Sequence, residues 1–396
     1  MNFCKITKKK IKPFMSFGKM PLANGFLLKK DFNKEFFYNL EILFNEEISL
    51  FQINDHPKPE HMFNQCYPFF TSSSKFMIEH FKNYSQWIKR FLSNNSKLIE
   101  IGSNDGTFLE NFRKVDIEYI GFEPSFNVFD KAKKKKINTI NDFFSMNSVE
   151  KLKNFKKKTD VVVGSNVVCH IPNLIDFIKS VDYLLSSNGT LVFEEPYLGS
   201  MYQKVSYDQV YDEHIFLFSI NSVYKIFKNF DFDLVDIVPQ ITHGGSMRYI
   251  LKRKSKNNEL SKVKNFIEKE KKLKIDSIEG CLQFKKNCEI SKDRLNEKLF
   301  KIKKSNEIIC GYGATSKSTT ILNYCNIGPK IIDCIFDTTK EKIGKFSPGS
   351  HIPIYDYKLF KKSNYKNVFL FAWNHKKEIM KKEAKNKKIK WLTHLN

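Results

Sequence analysis

Several features that would reveal a compartment or a partner are missing from this sequence. No two of its eight cysteines form a CxxC pair, and Cys169, Cys310 and Cys334 lie in or beside apolar runs, where cysteine is usually a small buried hydrophobe. No stretch approaches the roughly 20 consecutive apolar residues that cross a bilayer. The first residues also lack the apolar segment of a signal peptide. We therefore expect a reduced, cytoplasmic protein without a membrane span.

An arginine-rich stripe interleaved with aromatic residues is missing too, although the formal net charge is +24, from 67 basic and 43 acidic residues. The lysine runs at residues 8–10, 133–136 and 156–158 are short and dispersed. This distribution favours a solvated surface, with a polyanion-binding footprint as the alternative. A diphosphate substrate is compatible with the charge, and no nucleic-acid partner is expected.

The length of 396 residues predicts two or three domains. Residues 1–75 are rich in turns and are predicted to form a small N-terminal domain. Residues 76–255 alternate apolar strands with helical segments, which indicates a doubly wound, Rossmann-like α/β domain. Residues 256–306 are predicted to be a solvent-facing helical connector, and residues 307–396 a second Rossmann-like α/β domain. The predicted strands are 37–44, 98–101, 119–122, 161–163, 191–193, 308–310, 331–336 and 368–371.

The first candidate site follows the strand at 98–101, where Gly102-Ser103-Asn104-Asp105-Gly106 leads into a helix start. Glycines at such a turn let the backbone come close to a ligand at the carboxyl edge of the sheet. Glu123 ends the next strand, where an acidic side chain can accept hydrogen bonds from both hydroxyls of a ribose. These features alone fit NAD as well as S-adenosylmethionine (SAM), and an ordinary tight turn is a third interpretation.

Two details of this loop favour SAM. The loop reads E-x-G-x-x-x-G rather than G-x-G-x-x-G, so it lacks the close cradle that a dinucleotide diphosphate needs. It also carries an amide and a carboxylate, which suit a cationic sulfonium with an amino-acid tail. A further amide follows the strand at 161–163, where the fourth strand of such folds opens to the cofactor. The predicted cofactor-binding residues are Glu100, Gly102, Asn104, Asp105, Gly106, Glu123 and Asn166.

The second candidate site combines polar residues at 207–214 and 243–248. Tyr211, Glu213 and His214 lie within one turn. Histidine is the natural general base near neutral pH, and tyrosine can hydrogen-bond a developing oxyanion. Glu213 could orient or charge the imidazole, although adjacent side chains seldom face each other. From spacing alone, a structural role for His214 is the commoner outcome.

Ten ordered segments, from residue 21 to residue 353, resemble the sugar C-methyltransferase family, whose members act on nucleotide-linked keto-deoxysugars. The resemblance implies a small N-terminal zinc-binding domain, a central class I SAM-binding domain and a C-terminal Rossmann-like domain. The matching segments are Pro21–Asn24, Tyr67–Ser73, Glu100–Thr107, Gly121–Ser125, Ser165–His170, Glu194–Tyr197, Tyr211–His214, His243–Arg248, Gly311–Ala314 with Lys317, and His351–Pro353.

The resemblance also implies roles for the second site. His214 is expected to take the proton alpha to a sugar ketone, and Tyr211 to hold the enolate, so that the carbanion attacks the methyl group of SAM. Other residues are expected to line the same cleft or to hold the nucleotide diphosphate, since a glycine turn that opens a helix is an anion site. These substrate-binding residues are Tyr67, His243, Arg248, Gly311, Gly313 and Lys317.

The N-terminal region departs from the family pattern. The family holds zinc with two CxxC pairs, but Cys4 is followed by Thr7, and no cysteine occurs near residues 44–47. Only Cys66 and two histidines, His56 and His61, remain nearby. Because a structural zinc site needs four ligands, we predict that zinc is absent and assign no metal ligand.

Two further departures, Asp212 where the family commonly has histidine and Phe69 where tyrosine is frequent, indicate a different sugar or acceptor atom. An O- or N-methyltransferase acting on a related sugar therefore stays open. So does a non-catalytic protein that binds SAM or a nucleotide sugar, although the intact Tyr-x-Glu-His element argues against it. Nucleic-acid methylation is disfavoured because Asn166 is followed by Val-Val-Cys-His rather than a Pro-Pro-Tyr type of sequence. Nothing in the sequence indicates the oligomeric state.

Overall fold

The computed structural model describes residues 2–65, 67–384 and 388–395. Its strands are β1 Pro13–Pro21, β2 Phe37–Asn45, β3 Leu50–Ile53, β4 Ser96–Ile101, β5 Ile117–Phe122, β6 Thr139–Ile140, β7 Thr159–Ser165, β8 Leu185–Pro196, β9 Phe216–Leu217, β10 Phe232–Gln240, β11 Ser246–Arg253, β12 Ile309–Tyr312, β13 Cys334–Asp337, β14 Ile354–Asp356, β15 Asn367–Leu370 and β16 Lys390–Leu392. Its helices are α1 Pro59–Met62, α2 Lys75–Ile88, α3 Phe126–Lys134, α4 Met146–Val149, α5 Leu174–Leu184, α6 Leu198–Lys204, α7 Ile220–Lys228, α8 Ser261–Lys272, α9 Ile278–Lys304, α10 Ser316–Tyr324, α11 Tyr357–Phe360 and α12 Lys376–Lys382. Each strand predicted from the sequence overlaps one of these strands.

The central sheet has seven strands in the order β10-β11-β8-β7-β4-β5-β6. The five strands from β8 to β6 are parallel, and β10 and β11 add an antiparallel hairpin at one edge. Leu98, Ile99 and Ile101 of β4 are almost fully buried, because a central strand of a doubly wound sheet packs against elements on both faces. The carboxyl ends of β4, β5 and β7 therefore meet at one edge, where ligands bind in such folds.

Helix α2 shows how the sequence builds the layer that covers this sheet. The Ser74 side chain accepts a hydrogen bond from the Met77 N–H and caps the first turn. Met77, Phe81, Tyr84 and Ile88 then recur every three or four residues, and all are buried. This spacing places their side chains on one face of the helix, which packs against the core.

A second, antiparallel sheet has the order β1-β2-β3-β9. Its last strand does not belong to the N-terminal region: Phe216 and Leu217 of β9 pair with Gln52 and Phe51 of β3. The chain thus enters the N-terminal sheet two residues after His214. One continuous buried cluster joins this sheet to the central domain.

The third sheet is parallel throughout, with the order β14-β13-β12-β15-β16. Before it, α8 and α9 occupy the region predicted to be a solvent-facing connector. This region is only partly solvent-facing, because one side of α9 is buried in the shared core through Phe284, Cys288, Leu295 and Leu299. Among the described residues, no helix has the length and apolarity to cross a membrane.

Candidate active site

A cavity of about 490 Å³ lies at the carboxyl edge of the central sheet. All three regions of the chain contribute to its walls, for example Asn24 from the N-terminal region, Glu100 and His214 from the central domain, and Lys317 from the C-terminal domain. Both sites proposed from the sequence therefore open into one space.

The glycine loop after β4 forms one wall of the cavity. Gly102 has φ +65°, and a Cβ atom there would lie 2.8 Å from Cγ2 of Val167, so the turn requires glycine. Gly106 has φ +75° and packs against Ile137, where a Cβ atom would also lie at 2.8 Å. Gly102 lines the cavity, whereas Gly106 shapes the turn from outside the cavity wall.

Glu123 lies at the end of β5 as the sequence predicted. Its buried carboxylate accepts hydrogen bonds from the backbone N–H of Asn104 at 3.0 Å and of Ser125 at 2.8 Å. Burial raises the pKa of Glu123 to about 7, against the opposing effect of these hydrogen bonds. The carboxylate is thus fixed at the cavity wall with acceptor capacity to spare.

Four buried polar atoms on the cavity walls have no partner within the described residues: Glu100 Oε2, Ser103 Oγ, Asn166 Oδ1 and His170 Nε2. Burial, and then the charge of Glu123, raises the pKa of Glu100 well above its usual range. Buried polar atoms normally find partners, so unpaired ones at a cavity indicate a polar ligand. Two carboxyl groups, an amide and a close backbone approach fit the ribose and the cationic amino-acid end of SAM.

The side chains of Asn104 and Asp105 do something other than the sequence predicted. They fasten residues 67–74, which we name the strap, to the glycine loop. The Asn104 amide accepts from the Thr71 N–H at 2.8 Å and donates to the Phe69 carbonyl at 3.2 Å. The Asp105 carboxylate accepts from the Ser72 N–H at 3.2 Å and is not part of the cavity wall. Asn104 lines the cavity as well, whereas Asp105 does not, so the expectation that both groups face the sulfonium tail is corrected for Asp105.

Both ring nitrogens of His214 are hydrogen-bonded. Nδ1 lies 2.7 Å from the Gln209 carbonyl oxygen, which can only accept, so Nδ1 carries the proton. Nε2 is then unprotonated and lies 2.8 Å from the Tyr211 hydroxyl, which donates to it. Burial lowers the pKa of His214 well below its usual range, with a further contribution from His170. The structure thus holds a neutral imidazole with its basic nitrogen at the cavity wall.

Glu213 does not orient the His214 ring. Its Oε1 accepts from the Asn24 amide at 2.7 Å, and its Oε2 from the Tyr67 hydroxyl at 3.5 Å. Asp212 lies beside it and accepts from the Ala23 N–H at 3.1 Å. Burial raises the pKa of both carboxyl groups, and the charge of Glu213 raises that of Asp212 further. Glu213 therefore contacts the N-terminal region instead of orienting the imidazole ring.

Three of the residues expected to bind substrate line the cavity: Tyr67, His243 and Lys317. The Lys317 ammonium donates to the His243 carbonyl at 3.2 Å and lies 4.8 Å from the centre of the Trp373 ring. Burial lowers the pKa of Lys317 to about 8. Ser316 at the start of α10 lines the same wall, so the helix N-terminus and an ammonium face the cavity together.

The other three substrate residues lie outside the cavity wall. Arg248 is buried, with its guanidinium bonded to Glu194 at 2.6–2.7 Å and packed against the rings of Tyr84 and Trp87. Gly311 packs against Phe371 inside the C-terminal sheet, and Gly313 supplies a turn at φ +85°. These residues support the fold around the site, which corrects the prediction that they contact the substrate.

Asn24, His170 and Lys342 are among the cavity-lining residues to which sequence reasoning assigned no role. The His170 ring lies 5.3 Å from the His214 ring, and its Nε2 is buried without a partner within the described part of the chain. Burial lowers the pKa of His170 to about 3, so this imidazole is neutral. Asn24 and His170 belonged to matched segments, but neither was given a role.

Family models cover nearly the whole chain. A zinc binding domain model matches residues 3–63, a methyltransferase domain model residues 76–237, and a C-methyltransferase C-terminal domain model residues 241–395. The C-methyltransferase NovU from Streptomyces niveus is 26% identical over 373 residues, which are 93% of this chain and 89% of NovU.

Two solved structures illustrate similarity over less than half of the chain. A SAM-dependent methyltransferase from Archaeoglobus fulgidus has a TM-score of 0.36 at 16% identity, covering 44% of this chain and 94% of its own. Magnesium protoporphyrin IX methyltransferase from Synechocystis PCC 6803 has a TM-score of 0.34 at 12% identity, covering 45% of this chain and 79% of its own.

The parallel central sheet, the glycine loop at its edge and the domain matches define a class I SAM-dependent methyltransferase. Matches to a zinc-binding-type domain, a methyltransferase domain and a C-methyltransferase C-terminal domain follow one another along the chain, which is also similar to the C-methyltransferase NovU over most of its length.

The residues of the N-terminal region do not fit the zinc that its domain type implies. Cys4 is fully buried, and its sulfur accepts a hydrogen bond from the Thr7 N–H at 3.4 Å. The Thr7 hydroxyl accepts from the Asn45 amide at 2.9 Å, and Asn45 Oδ1 accepts from the Ile48 N–H at 3.2 Å. Within the described ranges, residues 2–65 contain no cluster of three metal-ligating side chains, and Cys66 lies outside those ranges. Hydrogen bonds thus connect the turn at residues 5–7 with the turn at residues 46–49.

Proposed function

We propose that this enzyme methylates a carbon of a nucleotide-linked keto-sugar after removing the proton next to the ketone. The observation that carries the proposal is the state of His214. A neutral imidazole presents its basic nitrogen beside a tyrosine hydroxyl, in the same cavity as the glycine loop. Carbon next to a ketone becomes a nucleophile when a base and an oxyanion donor act together, and this pair supplies both.

His214 and Tyr211 exchange partners as the substrate enters. The tyrosine hydroxyl donates to His214 Nε2 in the structure. A ketone oxygen that accepts from Tyr211 instead leaves Nε2 free to take the proton. The hydroxyl then stabilises the enolate oxygen, and Nδ1 keeps its hydrogen bond to the Gln209 carbonyl.

SAM, when bound, supplies an electrophilic methyl group on its sulfonium. Glu123 is the residue expected to hold the ribose hydroxyls, because its carboxylate is already fixed by two backbone N–H groups. Glu100, Ser103 and Asn166 offer their unpaired atoms to the remaining polar groups. The strap closes over this half of the cavity and excludes water from it.

The substrate is inferred to carry a diphosphate. The start of α10, with Ser316 and Lys317, faces the cavity from the C-terminal domain, and Lys342 lies on the same wall. An anion gains from the helix N-terminus and from the two ammonium groups. The sugar follows from the resemblance of the ten segments to sugar C-methyltransferases.

Proton exchange tests this reaction. Nucleoside-diphosphate keto-deoxysugars are incubated with the enzyme in deuterium oxide, and deuterium at the carbon next to the ketone is measured by mass spectrometry. We expect exchange and methyl transfer with the wild type, and loss of both in His214→Asn with SAM affinity retained. His61→Asn, at an exposed position, is the matched control. Methyl transfer without exchange indicates an O- or N-methyltransferase, and exchange that persists in His214→Asn refutes the assignment of the base.

A further inference from the structure

Asn24 lies in the turn after β1 and has no part in the mechanism above. Its side chain lines the cavity from the N-terminal region. Nδ2 donates to Glu213 Oε1 at 2.7 Å, and Oδ1 accepts from the Ser316 hydroxyl at 3.1 Å. One amide thereby connects the Tyr211–His214 element with the first residue of α10.

The backbone of the preceding residue makes the same connection. The Ala23 N–H donates to Asp212 Oδ1 at 3.1 Å, and the Ala23 carbonyl accepts from the Thr319 hydroxyl at 2.8 Å. Four hydrogen bonds from two adjacent residues therefore join the same two elements. Such a bridge fixes the orientation of the Asn24 side chain, because the turn that carries it is held on both sides.

Glu213 is the group that this bridge holds. Its carboxylate is buried and interacts with groups from all three regions: Asp212, Tyr211 and Cys169 in the central domain, Tyr38 and Tyr67 in the N-terminal region, and Lys342 in the C-terminal domain. His214 is the next residue in the chain. Lys342 is the only lysine or arginine among these groups. The neutral Asn24 amide stabilises the carboxylate without cancelling its charge. An ionised Glu213 can then stabilise the imidazolium that forms when His214 takes a proton.

We propose that Asn24 is a positioning residue, whose amide holds the Glu213 carboxylate beside the reaction site and links it to α10, the helix expected to bind the diphosphate. The inference rests on the proposed function for the reaction that it serves. Its effect on the titration of Glu213 can be measured without a substrate. It also gives the Ser316 hydroxyl a part in linking the C-terminal domain to this carboxylate.

Asn24→Asp tests the inference, because it replaces the donating NH₂ group by an oxygen of similar size. The new carboxylate then faces Glu213 directly, and we expect the titration midpoint of Glu213 to rise by about one pH unit or more. The midpoint is read from carboxyl ¹³C chemical shifts in glutamate-labelled protein, with Glu213→Gln to assign the signal. In the acid limb of the pH profile of kcat/KM we expect a shift in the same direction, and a fall in kcat of about tenfold or more. SAM affinity, measured by calorimetry, should stay within about twofold of the wild type.

Asn39→Asp makes the same charge change at an exposed position of β2 and should move neither the midpoint nor the pH profile. If Asn24→Asp fails to fold, Ser316→Ala removes only the hydrogen bond to Asn24 Oδ1 and should give a smaller rise of the Glu213 midpoint. An unchanged Glu213 midpoint in the folded variant overturns the inference, whether or not the enzyme is active. A wild type that neither exchanges nor methylates any keto-sugar overturns the proposed function instead, and the Glu213 titration still decides the role of Asn24.

Discussion

Replacing Asn45 by alanine should weaken the N-terminal sheet in a way that reveals whether hydrogen bonds or a metal hold it. Asn45 is 3% exposed, and its amide bonds both the Thr7 hydroxyl and the Ile48 N–H. Each bond contributes about 1 kcal/mol net, and the Ile48 N–H is left buried and unpaired, so the loss should total about 2–3 kcal/mol. Because about 1.4 kcal/mol is a factor of ten, opening of the sheet should become roughly 30- to 140-fold more frequent.

Hydrogen-exchange mass spectrometry of peptides covering residues 37–53 measures this opening. The exchange rate of those amides should rise in Asn45→Ala and stay unchanged in Asn39→Ala, an exposed position on the same strand. A chelator should leave the wild-type rates untouched. If chelation speeds exchange in the wild type as strongly as the substitution does, a metal holds the two turns and the reasoning from Thr7 and Asn45 is wrong.

Three more outcomes follow from the central domain. Arg248→Met leaves the buried Glu194 carboxylate without its guanidinium and should destabilise the protein by about 3–5 kcal/mol; an unchanged urea midpoint would contradict this. Because burial raises the pKa of Glu123 to about 7, its ionised form is lost on acidification. SAM affinity measured by calorimetry should therefore fall by roughly tenfold per pH unit below that value, and Glu123→Ala should bind weakly without this dependence. Asn104→Ala removes two of the hydrogen bonds that fasten the strap to the glycine loop and should speed SAM dissociation by about tenfold in stopped-flow experiments, whereas equal rates would show that the strap does not cover the cofactor.

The strands and the acidic residue at the end of β5 were predictable because they depend on local patterns. Short apolar runs separated by helical segments fix where the parallel strands lie, and Glu123 follows from its place at the end of one of them. The glycine loop is equally local, since Gly102 and Gly106 combine positive φ angles with positions where a Cβ atom would lie 2.8 Å from a neighbouring side chain. These features carried the expectation of a SAM site.

Long-range pairing decided the features that the sequence did not reveal. Arg248 lies directly opposite Glu194 in the register of β11 and β8, so the two side chains pair inside the sheet rather than in the cleft. The hydrogen bonds of Asn104 to the strap, some thirty residues earlier in the chain, could not be inferred from the sequence. The same limit applies to Asn24, whose partner Glu213 is 189 positions away.

The short strand β9 has a consequence for protein engineering. Since Phe216 and Leu217 complete the N-terminal sheet, a fragment that ends near residue 75 would present β3 as an open edge. Exposed edges of this kind invite pairing with other chains and aggregation. A chimera that exchanges N-terminal domains between relatives must therefore transplant residues 215–218 as well, and that segment begins immediately after His214. Domain shuffling intended to change the specificity of this enzyme would therefore place a junction directly beside the residue proposed as its base.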